Sequence, residues 1–257
     1  MRAIEIFEDL PSEGSIPCAD FMVGTKQIVD FVLFVTKLVV TNDKVGRTTL
    51  EALAQLDDRP GSEKWGEELR LSKEGPTQKA LRRFVQLMFQ MQITRTVDHY
   101  LAYVADLLSA IFLARPETLR STESVKVDFV LRHETMEDLM QALAERRVEK
   151  LAYSGLRDLS DSLANRPELS LFSCEEDLLH AARIVEDRNL IVHNRGVVNN
   201  MYRRKVPSSH REVGQPLSLE YDNVIADIAF LKQCVLTTDS LAVRKWQIPQ
   251  ISLPRMT

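Results

Sequence analysis

Glycine and proline are scarce in this sequence of 257 residues, which contains nine glycines and ten prolines. Average usage would place the two together at about 12% of positions, well above what is found here. Tight turns depend on these residues, so their scarcity favours long helices over many short strands. Apolar residues at 44% and charged residues at 27% are typical of a folded chain and exclude a disordered one.

Cysteine is also rare. Cys18, Cys174 and Cys234 stand far apart and form no CxxC pair. This odd, unclustered set excludes a disulfide framework and a cysteine-based zinc site, and it is typical of reduced thiols. The net charge of −4 excludes a protein that is basic over its whole surface, although a local basic patch remains compatible with it.

Long uncharged stretches are missing too. The two most apolar segments, Ile28–Val40 and His99–Ala114, both carry charged residues and are shorter than the roughly 20 residues that span a bilayer. The N-terminus lacks the apolar core of a secretory signal. We therefore expect a cytoplasmic protein without a membrane partner.

Several familiar catalytic motifs are absent from the sequence. The glycines form no GxGxxG or phosphate-loop pattern, and no GxSxG elbow occurs. His133 and Glu134 do not extend to HExxH, and Asp177 with His180 has no second copy to complete a di-metal site. We expect neither a metal nor a cofactor.

The spacing of apolar residues predicts an all-α protein, with a helical extension over residues 1–75 and an antiparallel helical bundle over residues 76–257. In the extension, the predicted helices are Phe21–Val40, stopped by Thr41-Asn42-Asp43, then Thr48–Leu56 and Gly61–Leu71. In the bundle, they are Thr77–Ala114, a helix from near Thr135, Leu156–Ala164, Ser173–His193 and Ser218–Ala242. Thr135 with Asp138 and Ser173 with Glu176 are predicted capping boxes, and Gly196 a left-handed C-cap.

Three polar residues near the end of the Ser173–His193 helix form the candidate site. Asn189 and His193 are four residues apart, so they continue the apolar stripe of that helix and must find partners or line a cleft. An unsatisfied buried polar group would cost about 1–3 kcal/mol. Arg188 lies about 100° round the helix from Asn189. Arg188 and His193 therefore converge only if the helix end is distorted or a second subunit supplies the missing partner.

Arg188-Asn189-x-x-x-His193 resembles the R-[polar]-x(3)-H core of the HEPN family (higher eukaryotes and prokaryotes nucleotide-binding domains). The flanking residues 190–199 are similar to stretches of bacterial HEPN proteins, and the resemblance extends over roughly Thr77–Trp246. Residues 1–75 lie outside it. HEPN toxins paired with nucleotidyltransferase antitoxins commonly carry a tyrosine two residues after the histidine. This chain has Arg195 there, which argues against control by adenylylation.

The resemblance implies a metal-independent endoribonuclease, of the kind found in toxin–antitoxin pairs and antiviral defence, acting on single-stranded RNA as a homodimer with a composite site. Arg188 would hold the phosphoryl oxygens, His193 would act as acid or base, and Asn189 would orient one of them. Attack by the RNA 2′-OH would leave a 2′,3′-cyclic phosphate. An antitoxin or regulatory protein would be a further partner.

A basic segment follows the motif. Between Arg183 and Arg211 there are seven basic residues, against Glu186, Asp187 and the adjoining Glu212. The predicted RNA-binding residues are Arg195, Tyr202, Arg203, Arg204 and Lys205. Tyr202 would stack on a base while the cations hold phosphate. The alternative is a solvated loop.

Two other hypotheses stay open. In one, Arg188 and His193 belong to a non-catalytic HEPN-like module that binds a nucleotide or a partner. In the other, the chain is a helical interaction protein in which Arg188 pairs with an acidic residue and His193 caps its helix.

Overall fold

The computed structural model describes residues 3–56, 75–119, 124–152, 155–165 and 168–253. These residues are mostly helical, as the sequence predicts, and the predicted helix Gly61–Leu71 lies outside them. The α-helices are α1 (Ile16–Leu56), α2 (Pro76–Arg82), α3 (Val85–Ala114), α4 (Val127–Val130), α5 (Met136–Ala152), α6 (Leu156–Asn165), α7 (Glu175–Asn194), α8 (Asn200–Lys205) and α9 (Tyr221–Trp246). Two short 3-10 helices, Ala3–Phe7 and Pro116–Leu119, and two strands, β1 (Glu13–Ser15) and β2 (Gln250–Ser252), complete the described part.

Helix α3 lies at the centre of the bundle and packs against α1, α5, α7 and α9. It ends at Ala114, before Arg115 and Pro116, as predicted. Within the described part of the chain, α3 is the one helix long and apolar enough, by length and composition, to cross a membrane. In the fold, eleven of its residues are buried, and several of them, such as Val97 and Leu107, belong to the main core.

Helix α1 does not stop at Thr41-Asn42-Asp43, so the predicted break is wrong. The polar side chains serve the next helix instead. Asp43 accepts hydrogen bonds from the backbone N–H groups of Thr77 at 3.1 Å and Gln78 at 2.8 Å, while Asn42 donates to the Thr77 hydroxyl at 3.0 Å. Residues typical of a turn thus cap the N-terminus of α2 from within α1.

Three other helix boundaries differ from the predictions. The expected continuous helix from Thr77 breaks at Arg83 and Phe84, and nothing in the sequence marks that turn. The capping box of Ser173 and Glu176 is wrong, because Cys174 is the N-cap of α7 and no side chain caps it. The last helix begins at Tyr221 and ends at Trp246.

The capping box of Thr135 and Asp138 is confirmed. The Asp138 backbone N–H donates to the Thr135 hydroxyl oxygen at 3.1 Å, and that hydroxyl donates to the Asp138 carboxylate at 2.7 Å. This pair holds the start of α5, which packs against the central helix α3 and contributes one wall of the cleft described below.

The two strands, which the sequence did not predict, join the two ends of the described chain in an antiparallel pair, with Gly14 opposite Ile251. Ser15 then caps α1: its hydroxyl oxygen accepts from the Cys18 N–H at 3.2 Å. The buried Asp239 of α9 accepts from both the Ser15 N–H and the Ser15 hydroxyl. Apolar residues of this N-terminal region, such as Phe21 and Met22, belong to the same core as α3 and α9.

Asp43→Ala should lower the free energy of unfolding by about 1 kcal/mol, because it leaves the first N–H groups of α2 without an acceptor. Urea unfolding followed by circular dichroism measures this. Asp30→Ala is the matched control, since Asp30 is an exposed residue of α1 whose partner is Lys26 at i−4. Asp30→Ala should lower the free energy of unfolding by no more than about 0.5 kcal/mol. Equal losses in the two variants would contradict the capping role of Asp43.

Candidate functional site

Arg188, Asn189 and His193 line one cleft of about 470 Å³ between α3, α5, α6 and α7. Apolar side chains of α3, such as Leu101 and Leu108, contribute much of the wall. The cleft therefore combines an apolar wall with a few polar groups from one helix, which is the usual composition of a ligand site.

The end of α7 positions the motif. Leu190 is buried, while Arg188 and Asn189 are half-buried. Within one turn, α7 therefore presents one residue to the core and two to the cleft. The C-cap is Arg195, in the left-handed region with φ 54°, so the predicted C-cap at Gly196 is wrong by one residue. Gly196 follows with φ 69°, and its N–H donates to the Leu190 carbonyl at 2.9 Å. The chain turns back sharply there because glycine tolerates this backbone conformation.

Arg188 forms an ion pair with Asp98 of α3, a residue that the sequence reasoning missed. The Asp98 carboxylate accepts from Arg188 Nε at 3.0 Å and from Nη2 at 2.7 Å. Arg188 Nη1 donates to the Asn189 side-chain oxygen at 3.3 Å. The pair is only partly exposed, 22% for Arg188 and 31% for Asp98. One edge of the guanidinium is therefore engaged by Asp98, and the other points to Asn189.

His193 is exposed. Within the described residues, no hydrogen bond joins His193 to Arg188 or to any other side chain. Both residues line one cleft without a hydrogen bond between them, as their spacing of five residues on a regular helix leads one to expect.

One of the five predicted RNA-binding residues does not face solvent. The Tyr202 side chain is buried, at 1% exposure, and its hydroxyl donates to Asp187 at 2.7 Å, so the predicted stacking of Tyr202 on a base is wrong. Arg203 donates to backbone carbonyls, including that of Arg211 at 2.9 Å. Arg195 and Arg204 are exposed.

Lys205 is the one member of that predicted set that lines the cleft. Its Nζ lies 2.7 Å from the Glu186 carboxylate, which also lines the cleft. Lys205 thus adds a cation to the side of the cleft where Arg188 and His193 lie, although Glu186 offsets its charge.

A buried charge network behind the motif was also missed. Asp187, at 1% exposure, accepts from Arg183 at 2.9 Å, from Arg211 at 2.6 Å and from the Tyr202 hydroxyl. Arg183 also pairs with Asp227 of α9. Burial lowers the pKa of Arg183, but the carboxylates of Asp227 and Asp187 outweigh it and raise that pKa. The network joins α7, α8 and α9 to the segment that contains Arg211.

His180 belongs to the same network. Its Nε2 lies 2.9 Å from Asp227, and its ring stacks on Phe230 with the ring centres 4.1 Å apart. In the part of the chain that the structure describes, no group of three or more His, Cys, Asp or Glu side chains is arranged to hold a metal ion.

Comparison with protein-family models, with curated proteins and with solved structures finds no match to this chain.

Asp187→Asn should lower the free energy of unfolding by roughly 3 kcal/mol, because it removes the buried charge that compensates Arg183 and Arg211. Thermal and urea unfolding measure the loss. Asp128→Asn is the control, since Asp128 is an exposed acid paired with an arginine four residues away. Its unfolding midpoint should stay nearly unchanged. A midpoint for Asp187→Asn equal to that of the control would contradict a structural role for the network.

Proposed function

We propose that this protein is a metal-independent endoribonuclease of the HEPN type that cleaves single-stranded RNA in the cytoplasm. The observation that carries the proposal is that Arg188, Asn189 and His193, the three residues of the motif, line one cleft together with Lys205. Two cations and an imidazole beside an apolar wall suit a substrate that presents a phosphate and a base.

The chemistry needs charge stabilisation and two proton transfers. The RNA 2′-oxygen attacks the adjacent phosphorus and loses its proton, and the 5′-oxygen leaves with a proton, which gives a 2′,3′-cyclic phosphate and a free 5′-OH. Arg188 stabilises the negative charge that builds on the phosphoryl oxygens. His193 acts as the general acid or the general base and takes or gives one proton in the reaction.

The need for two proton transfers favours a second copy of the chain. One imidazole serves as either base or acid at a given moment, and the cleft holds one His193 per chain. Two copies related by a two-fold axis would supply a base from one protomer and an acid from the other. The enzyme is therefore proposed to act as a homodimer, restrained in the cell by an antitoxin or regulatory protein.

Asp98 is proposed to position Arg188. It binds Nε and Nη2 and leaves the Nη1 side of the guanidinium, next to Asn189, for the phosphate. A guanidinium fixed in this way loses less rotational freedom when it binds an anion. The Asp98 carboxylate also weakens the positive potential of Arg188. The benefit of a fixed guanidinium orientation must therefore exceed this loss of electrostatic attraction for the phosphate.

Purified protein should cleave a fluorescent single-stranded RNA in the presence of EDTA and release 2′,3′-cyclic phosphate ends. Arg188→Ala and His193→Ala should each lower the rate by about 100-fold or more, since each removes a group that acts on the phosphodiester. Arg132→Ala is the matched control, because Arg132 is exposed and does not line the cleft. Its rate should stay close to that of the wild type. Unfolding midpoints show whether each variant remains folded. An inert wild type on varied RNAs would refute the proposal.

One observation favours a second candidate function. Because Asp98 already satisfies Arg188, the pair would also serve a non-catalytic module that binds a nucleotide or a partner, with Arg188 fixing α7 on α3.

Asp98→Asn separates the two functions. In a nuclease, it should lower kcat and leave the unfolding midpoint nearly unchanged, because it disturbs the orientation of Arg188 in a pair that is partly exposed. If the protein is instead a non-catalytic binding module, neither the wild type nor any variant cleaves RNA. Asp98→Ala and Arg188→Ala should then destabilise the fold to a similar extent and fail to add in the double variant. Cleavage assays and a double-mutant cycle of unfolding free energies measure both.

A further inference from the structure

One end of the bundle is a helical arm with almost no buried side chains of its own. We define the helical arm as residues 30–49 of α1, α2, and the chain from Arg83 to Met91. Within those residues, Asp43 is the one buried side chain, and it caps α2. Gln86 on this arm exchanges hydrogen bonds with the backbone of Leu219, at 2.7 Å and 3.0 Å, so part of α3 is covered there.

Seven large apolar side chains of the helical arm are between 47% and 63% exposed. They are Phe31, Phe34, Leu38, Val45, Phe84, Leu87 and Met91. Those on α1 follow one another at steps of three, four and seven, and those at the start of α3 at steps of three and four. Such spacing places each set along one stripe of its helix.

The two stripes lie at the same level because α1 and α3 run antiparallel with a fixed register. A Cβ atom at Gly24 would collide with the ring of His99, so these residues face each other closely. Asp43 lies against Thr77. Gly24 of α1 lies opposite His99 of α3, and each step forward on α1 corresponds to one step back on α3. Phe31 to Leu38 therefore lie opposite the turns of α3 that carry Leu87 and Met91. We call these seven side chains the arm face.

We propose that the arm face binds the arm face of a second copy of this chain across a two-fold axis. The inference rests on the proposed function for its expectation of a second copy, while the surface itself is read from exposure and spacing. At about 100 Å² for each half-exposed side chain, the seven present on the order of 700 Å², and a stable interface buries about 800 Å² per partner.

Two antiparallel helix pairs that meet through their apolar stripes form a four-helix bundle, which is how such stripes are ordinarily covered. Four of the seven side chains are aliphatic and offer no stacking surface to RNA bases. The same interface would approach the cleft, since Met91 and Asp98 are seven residues, about two turns, apart on α3. The partner copy would therefore lie beside the Asp98–Arg188 pair.

Charge on the arm predicts an unusual salt dependence. Its described residues contain six basic side chains, of which Arg47 and Arg82 already have partners, against two acidic ones, Asp30 and Asp43. Two arms of like charge repel each other, and salt screens that repulsion. The dimer should therefore tighten as salt is added. Binding of an RNA or of an anionic lipid surface to the same basic arm would weaken instead.

Sedimentation equilibrium of the full chain tests the arm face. The wild type should be a dimer at about 10 µM, and its dissociation constant should fall several-fold between about 0.05 and 0.5 M NaCl. Phe34→Glu with Leu38→Glu should raise that constant about 100-fold or more, because it places four like charges in one apolar interface. Leu131→Glu is the matched control: Leu131 is 78% exposed and lies outside the arm, so the dimer should persist. Circular dichroism and unfolding midpoints verify folding, and Leu38→Ala provides a milder variant, expected to weaken the dimer about tenfold.

Several results would overturn the inference. They are a wild-type monomer at about 100 µM, a double variant as dimeric as the wild type, or a dimer that dissociates as salt is added. Retention on vesicles of phosphatidylcholine and phosphatidylglycerol at 3:1, lost in the double variant, would assign the face to a membrane instead. Cleavage of RNA in EDTA is measured in parallel. A dimer without cleavage removes the proposed function and keeps the arm face, whereas a cleaving dimer that persists in the double variant keeps the proposed function and removes the arm face.

Discussion

The burial of α3 is the constraint on which the rest of the structure depends. A thirty-residue helix with apolar side chains around most of its circumference is stable in water only when several partners cover it. Helices α1, α5, α7 and α9 supply that cover, and each approaches from a different part of the sequence. Asp98 is placed by the same constraint. It lies on the central helix at the point where α7 crosses, so the burial of α3 brings a carboxylate to Arg188.

Local patterns in the sequence predicted most of the helices and the position of Asn189 and His193 at a cleft, while contacts between distant residues could not be predicted. The stripe through Asn189 and His193 has a period of 3.6, a property of one helix, and it does lead to a cleft. The pair of Arg188 and Asp98 spans 90 residues and leaves no local trace. The same holds for Tyr202, which stands in a basic segment yet turns inward because Asp187 offers a buried acceptor.

The errors at helix ends have a common physical origin. Thr41-Asn42-Asp43 and Ser173 are residues that favour turns and caps, and the sequence assigns such residues to the helix in which they stand. In the fold, a long helix carries Asn42 and Asp43 without interruption because its neighbour uses them. The first N–H groups of a helix have no acceptor within the helix, and a side chain from another element can accept their hydrogen bonds as well as a local side chain can.

Acidic residues divide the basic segment into two parts with different roles. Asp187 and Asp227 are nearly inaccessible to water and hold Arg183 and Arg211 in place, so those arginines cannot leave to bind a substrate without exposing a buried charge. Asp98 and Glu186, in contrast, are themselves 31% and 16% exposed at the cleft where they hold Arg188 and Lys205. In such a partly aqueous setting an ion pair is worth far less than in the core. Arg188 and Lys205 are therefore held more loosely than Arg183 and Arg211, whose carboxylate partners are buried.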